Sequence, residues 1–371
     1  MVADPDPQLL TSPLQDRHLR LGAKFAEFGG WSMPLEYSGV VVEHTAVRSG
    51  VAMFDVSHLG KVQVSGPGAA AYLNSCLTND LGRLRPGQAQ YTLCCAPDGG
   101  VVDDLIAYLR DDDDVFLVPN AANTASVVEL LASRAPGGVA VVDQRRDWAV
   151  LAVQGPASDE TLSSIGFRVD HDYMSFVDVR HDGVPVVVCR SGYTGERGYE
   201  LLVPSEAAGS VWDDVLAAGE DRGIVPAGLA ARDTLRTEMG YPLHGQDIST
   251  QISPVQAGLS WAVAWSKDAF WGDDALRAER KRGPSRLLRG LVATGRGIPR
   301  PGMTVRGLDE TQIGEVTSGT FSPSRRRGIA LALLDAAVAD GDGVVVDVRG
   351  RREPFIVTRP PFVSPGVKEQ P

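Results

Sequence analysis

Hydrophobic and polar positions along the first 220 residues alternate between two periods. Residues 62–65, 90–96, 101–109 and 115–118 are short runs rich in Val, Leu, Ile and Tyr, the pattern of strands. Residues 67–77 and 121–133 repeat apolar positions every three to four residues and predict helices. Asp111, Asp112, Asp113 and Asp114 fall between two of the strands. Four consecutive like charges repel one another, so they predict a solvated hairpin turn and not a metal site.

The pattern occurs twice. KVQVSGPGAAAYL at 61–73 resembles AVLAVQGPASDETL at 149–162, each a strand, a Gly-Pro pair and a helix with Pro in its first turn. FLVPNAANTASVVELL at 116–131 resembles ELLVPSEAAGSVWDDVL at 200–216. Two similar α+β units follow, each with antiparallel strands and helices on one face. A cleft between two such units is a common ligand site.

Further on, residues 229–239 and 273–282 read as helices, and Gly283-Pro284 as a linker. After it come six short β-like runs at regular spacing, separated by turn signals, which predict a small all-β barrel or sandwich. The expected division is 1–272 as a two-lobed α+β region with an internal pseudo-repeat, 273–284 as a linker helix, and 285–371 as a C-terminal all-β domain.

Charge and cysteines narrow the classes of function. The net charge of −11 disfavours general binding to nucleic-acid phosphates. It is unevenly spread: residues 281–371 hold 15 basic and 9 acidic residues, a net of +6. That excess is either a set of solvated loops or a docking surface for an acidic partner. Cys76, Cys94, Cys95 and Cys189 form no CxxC pair and have no nearby histidine cluster, so reduced thiols in a cytoplasmic protein are expected, with no metal. Cys94 and Cys95 are adjacent in a strand and must face opposite sides. MVADPDPQLL at the N-terminus has neither a basic nor an apolar signal region, and no apolar run is long enough to span a bilayer.

Four segments could carry chemistry. In GGVVDDLIAYL (99–109), Gly99 and Gly100 allow a tight turn and the close approach of a flat ligand. Asp103 and Asp104 begin the strand on opposite faces, so at most one lines a cleft and the other is solvent-exposed or capping. RSGYTGERGYELLVP (190–204) is glycine-rich but lacks any nucleotide fingerprint. Its Tyr193, Tyr199 and Glu200 suit a flat heterocycle with amino and ring N–H donors, or equally a hairpin turn with surface tyrosines. In 227–248, Arg232 could bind a carboxylate or a carbonyl, whereas Arg236 and Glu238 are read as structural ion pairs and His244 as a structural histidine. Ser57-His58 is a poor nucleophile–base pair, because adjacent residues in an extended segment diverge; a buried strand entry is the better reading.

Taken together, these segments resemble the glycine cleavage T-protein family. The matching pieces are FGGWSMPLEY (28–37), EHTAVRSGVAMFDVSHLG (43–60), GGVVDDLIAY (99–108), GYTGERGYEL (192–201), PAGLAARDTLRTEMGYPLHGQDI (226–248), GLSWAV (258–263) and TSGTFSPS (317–324). The resemblance runs over residues 12–363 and implies a two-lobed folate-binding region with a C-terminal β-barrel. It implies transfer of the one-carbon unit of an aminomethyl-lipoyl H-protein to tetrahydrofolate, giving 5,10-methylenetetrahydrofolate and ammonia. It also implies transient contact with the other glycine cleavage proteins. Residue by residue, Asp103 matches the catalytic carboxylate, and Glu200 and Arg232 match residues that hold the pterin. Met53, Tyr91, Asn120, Tyr173, Tyr193 and Tyr241 match positions that line the folate pocket. The tail FVSPGVKEQP lacks the tyrosine that some relatives use. The iron–sulfur assembly branch of the superfamily has a Lys-Gly-Cys segment where this chain reads MGYPLHGQD. A folate-dependent demethylase of the same superfamily is the alternative enzyme.

Overall fold

The computed structural model describes residues 9–367. Residues 1–8 and 368–371, which hold most of the N-terminal stretch and the last of the tail read above, lie outside them.

Two sheets form the centre. The first has the strand order Gln88–Cys95, Val101–Asp111, Asp114–Val118, Val62–Ser65, Ala140–Asp143. The second has the order Phe176–His181, Val184–Cys189, Gly198–Pro204, Trp148–Gln154, Ala52–Asp55, Val225–Ala227. The first four strands of each correspond in order and are antiparallel throughout, which is the predicted pseudo-repeat in three dimensions. The two Gly-Pro turns also match. Gly66 and Gly155 have φ of +118° and +131°, and a Cβ there would meet the carbonyl oxygen of Gly138 at 2.0 Å or of Gly50 at 2.3 Å. Only glycine fits both the backbone and the space.

The sheets pack face to face with helices on the outside. Ala89, Tyr108 and Phe116 of the first sheet share one core with Val150, Ala152, Phe176, Val187 and Leu202 of the second. On the outer faces, Leu73, Val127 and Leu131 from helices Ala69–Cys76 and Thr124–Ala132 cover the first sheet. Leu162, Val211, Trp212 and Val215 from helices Ser158–Ser163 and Ala208–Ala218 cover the second. Strands buried on both faces are apolar on both, which is why they read as continuous hydrophobic runs.

The C-terminal strands close into a six-stranded barrel, from Arg286–Ala293 through Arg327–Asp335, Gln312–Ser322, Thr304–Arg306 and Gly343–Val348 to Arg351–Thr358. Closure removes the free edges that short strands would otherwise expose. Helix Leu229–Met239 joins the barrel to the sheets. Its Arg236 donates to Asp247 at 2.7 Å and to Ser318 Oγ at 2.9 Å. Its Glu238 accepts from Arg48 Nη2 at 2.9 Å, Ser324 Oγ at 2.9 Å and Ser322 Oγ at 2.5 Å. A bulge between Val316 and Ser318 turns Thr317 toward Asp247, with Thr317 Oγ1 donating at 2.5 Å. The segment TSGTFSPS is thus the seam between barrel and sheets, and Arg236 and Glu238 are structural as read from the sequence.

No helix among the described residues is long and apolar enough to cross a membrane.

Candidate functional site

A cavity of about 640 Å³ opens where the two sheets, helix Leu229–Met239 and the barrel meet. Tyr91, Asn120, Tyr173, Tyr193, Glu200, Arg232 and Tyr241 all line it. Residues up to 150 positions apart in sequence converge there, from both sheets and from helix Leu229–Met239 and the segment after it.

Two sequence-derived placements are corrected. Asp103 is fully buried and is not on the cavity wall; Asp104 is. Along strand Val101–Asp111, Asp103, Leu105, Ala107 and Leu109 alternate with Asp104, Ile106 and Tyr108. The apolar members of the first set join the helix-covered core, and the second set faces the cavity and the other sheet. Asp104 is therefore neither solvent-exposed nor a cap. Met53 is likewise fully buried, in the core under helices Ser158–Ser163 and Ala208–Ala218, while its neighbours Ala52 and Phe54 face the sheet interface. The same segment instead presents His58 and Leu59 to the cavity. Nor does the Gly-Gly turn admit a ligand: a Cβ on Gly100 would meet the carbonyl oxygen of Thr250 at 1.9 Å, so the close approach is by backbone.

The acidic cluster is built around Asn120. Asp103 accepts from Asn120 N at 3.0 Å, Asn120 Nδ2 at 2.8 Å and Asn123 Nδ2 at 2.7 Å. Asp104 accepts from Asn120 Nδ2 at 2.8 Å and from the Tyr91 hydroxyl at 2.9 Å. Burial pushes both carboxyls above the ordinary range. For Asp103 the neighbouring Asp104 charge adds to the shift, and the bonds to both groups oppose it only in part. A carboxyl raised in this way at a cavity wall holds its proton more readily than an exposed one and is placed to exchange it with a ligand. Tyr91 in turn stacks on Trp261, 5.4 Å between ring centroids, and Trp261 is 65 % exposed at the mouth.

A second cluster lies on the other sheet. Glu200 is paired through the backbone ladder with both Ala152 and Cys189, which fixes its side. Its carboxylate accepts from Ser191 Oγ at 2.5 Å, and Ser191 Oγ lies 3.2 Å from the Tyr108 hydroxyl. Burial raises the Glu200 carboxyl, against the bond from Ser191 and the charge of Arg232. The Arg232 guanidinium sits 4.4 Å from the Tyr193 ring centroid. It makes no hydrogen bond or ion pair to a described residue. Tyr193 and Tyr241 pack at 5.8 Å, and the Tyr193 hydroxyl donates to the Pro242 carbonyl. The arrangement offers a flat slot with aromatic walls, an acceptor (Glu200), a donor unpaired among the described residues (Arg232) and, on the other sheet, a carboxyl with a raised pKa (Asp104).

The glycine-rich loop owes its composition to packing. A Cβ at Gly192 would meet Gln154 Oε1 at 2.2 Å, and at Gly195 the Met239 sulfur at 2.3 Å. His244 is structural, its Nε2 lying 3.0 Å from the Val101 carbonyl oxygen. Cys94 and Cys95 do face opposite cores, and all four cysteines are buried free thiols. Asp104, His58, Ser191 and Tyr108 were missed by sequence reasoning. Only for Asp104 was there a signal, its parity with Tyr108 on one strand.

Two family descriptions match the chain: "GCVT N-terminal domain" over residues 14–267 and "Glycine cleavage T-protein C-terminal barrel domain" over residues 286–364. An aminomethyltransferase of Frankia alni is 62% identical over 357 residues, which cover 96% of this chain and 98% of that protein. One from Mycobacterium tuberculosis is 59% identical over 360 residues, with the same coverage. The crystal structure of the glycine cleavage system aminomethyltransferase T from Bartonella henselae superposes with a TM-score of 0.91 at 35% identity, covering 96% of this chain and 99% of that one. Matches of this extent over both the sheet region and the barrel make the chain a member of the glycine cleavage T-protein family, the aminomethyltransferases.

Proposed function

We propose that this aminomethyltransferase takes its one-carbon unit from the aminomethyl-lipoyl arm of H-protein and passes it to tetrahydrofolate. The observation that carries the reading is the separation of roles on the cavity wall. Glu200 and Arg232 offer an acceptor and a donor beside aromatic faces, as a pterin requires, and Asp104 stands apart from them with a raised pKa.

Glu200 accepts hydrogen bonds from the amino and N3–H groups of the pterin, and Arg232 donates to its carbonyl. Held in this way, folate N5 meets the aminomethyl carbon with little further loss of freedom, so positioning supplies much of the acceleration. Bonds form from the carbon to N5 and then N10; its bonds to the lipoyl sulfur and to nitrogen break. The protons that leave N5 and N10 end on the departing ammonia and thiol, and Asp104, oriented by Tyr91 and Asn120, carries the N10 proton. Buried free thiols fit a reducing compartment, and we place the reaction in the cytoplasm. Arg289 and Arg359 at the mouth suit acidic groups, whether of the folate tail or of H-protein.

The test is an assay with aminomethyl-lipoyl H-protein, with and without tetrahydrofolate. Ammonia and 5,10-methylenetetrahydrofolate should appear together in equal amounts. Ammonia release at the same rate without folate would sink the reading.

A further inference from the structure

His58 is a buried polar group on the cavity wall with no part in the steps above. It is 1 % exposed, and neither ring nitrogen has a hydrogen-bond partner among the described residues. Buried polar groups are nearly always paired, so an imidazole kept without a partner calls for an explanation. Loose packing is not one. Lys61, itself fully buried, donates from Nζ to the carbonyl oxygens of Ser57 at 2.7 Å and Leu59 at 2.8 Å, on either side of His58. Ser57 N donates to Asp55 at 2.9 Å, and Ser57 Oγ accepts from Val150 N at 3.1 Å. Gly60 N donates to the Pro119 carbonyl at 2.8 Å. Phe28 meets the imidazole edge-on, 5.2 Å between centroids. The turn around His58 is thus tied down on both sides, and the residue is one of those that line the cavity.

Burial, with the nearby Arg232 charge, lowers its pKa to about 3, so the ring is neutral and offers one donor and one acceptor. His58, Glu200 and Arg232 line the same cavity. An ionised Glu200 only accepts and Arg232 only donates. A reduced pterin alternates donors and acceptors around its edge, so a group able to do both complements the other two.

We propose that His58 is a further pterin-binding residue: its imidazole hydrogen-bonds the polar edge of the bound reduced pterin beside Glu200 and Arg232, with Lys61 as the positioning residue that holds the turn. This rests on the folate reading above.

The test is anaerobic calorimetric titration of the full chain with tetrahydrofolate, for wild type, His58→Leu and Glu200→Gln. His58→Leu should bind at least tenfold more weakly. The same loss should appear with 6-methyltetrahydropterin, which lacks the aminobenzoate and glutamate. The unfolding temperature of ligand-free His58→Leu should equal or exceed that of wild type, because no protein partner is lost. Unchanged folate affinity in His58→Leu, alongside weakened binding by Glu200→Gln, removes this inference and leaves the folate reading standing. A loss confined to tetrahydrofolate and absent with the pterin, or a lowered unfolding temperature of the ligand-free variant, also overturns it. A wild type that does not bind tetrahydrofolate removes both readings.

Discussion

Helix Leu229–Met239 treats charge in opposite ways in its successive turns. Toward the cavity, Arg232 lies over Tyr193 and makes no hydrogen bond or ion pair to a described residue. One turn later, Arg236 is fixed by Asp233, Asp247 and Ser318, and Glu238 by Arg48, Ser322 and Ser324. The carboxyls follow suit. Burial would raise Glu238, but bonds from His44 and Ser322 and the charge of Arg48 outweigh it and hold the group at about 2. At the cavity, burial wins and Asp104 and Glu200 are raised, as is Asp103 behind the wall. The seam spends its polar groups on one another and is stable for it. The cavity leaves some of them incompletely paired, which costs stability and leaves them available to a ligand.

The sharpest way to break this contrast is to neutralise each aspartate of the pair separately. Asp104→Asn should lower turnover in the H-protein assay by roughly 10²–10⁴-fold, the range for a positioned proton-transfer group, with folate affinity much less affected. Asp103→Asn sets an amide against the donors of Asn120 and Asn123. It should cost about 1–3 kcal/mol of stability and lower turnover less than Asp104→Asn does. The reverse order of turnover losses would mean that the wrong face of the strand has been assigned to the chemistry.

On the seam, Glu238→Ala leaves the buried His44 without its carboxylate and the half-buried Arg48 with Glu196 alone. A loss of about 3–5 kcal/mol is expected in denaturant unfolding, the usual cost of removing one partner of a buried pair. Folate affinity at a temperature where the variant is folded should stay near wild type. A variant with native stability would show that the seam does not hold the barrel in place.

A smaller effect tests the pterin slot. Glu200→Gln keeps the shape but replaces an acceptor oxygen with a donor, and should weaken folate binding by about 1–3 kcal/mol. Calorimetric titration with unaltered affinity would remove Glu200 from the pterin site.

The smallest effect is a difference in sign with pH. Glu238 is depressed, so its contribution to stability is present above its ordinary value of 4.5 and is lost as pH falls toward about 2. The Asp103–Asp104 pair is raised, so its contribution is greatest below the ordinary 3.8 and declines as pH rises above it. Stability curves should therefore show Glu238→Gln flattening the acid limb and Asp104→Asn flattening the decline on the other side. Parallel curves for wild type and both variants would contradict the opposed shifts.

Much of the fold was legible in the sequence, and for local reasons. Helix Leu229–Met239 and helix Asp273–Arg282 have the bounds their patterns predict. The duplicated strand–Gly-Pro–helix pattern announced two related sheets because each Gly-Pro turn needs a backbone that only glycine supplies. Glu200, Arg232 and five other lining residues could be named through motif resemblance. Two residues named in the same way, Asp103 and Met53, do not line the cavity: Asp104, one position on, does in the first case, and His58 and Leu59, five and six positions on, in the second. Each lies on a strand buried on both faces, and there alternation of apolar and polar residues no longer tells inside from outside. An offset of a single residue moves a side chain to the opposite face.

The sequence by itself determined which segments are strands and helices, that the unit is duplicated, and most of the residues that line the cavity, because these follow from local periodicity, turn chemistry and motif. The tertiary structure alone decided that Asp104 and not Asp103 faces the cavity, that Arg236 is locked while Arg232 makes no hydrogen bond to a described residue, and that His58 is buried without a hydrogen-bond partner among the described residues. Each of these depends on what a second sheet, a second helix face or the barrel brings up against a side chain, and neighbours distant in sequence leave no periodic trace along the chain.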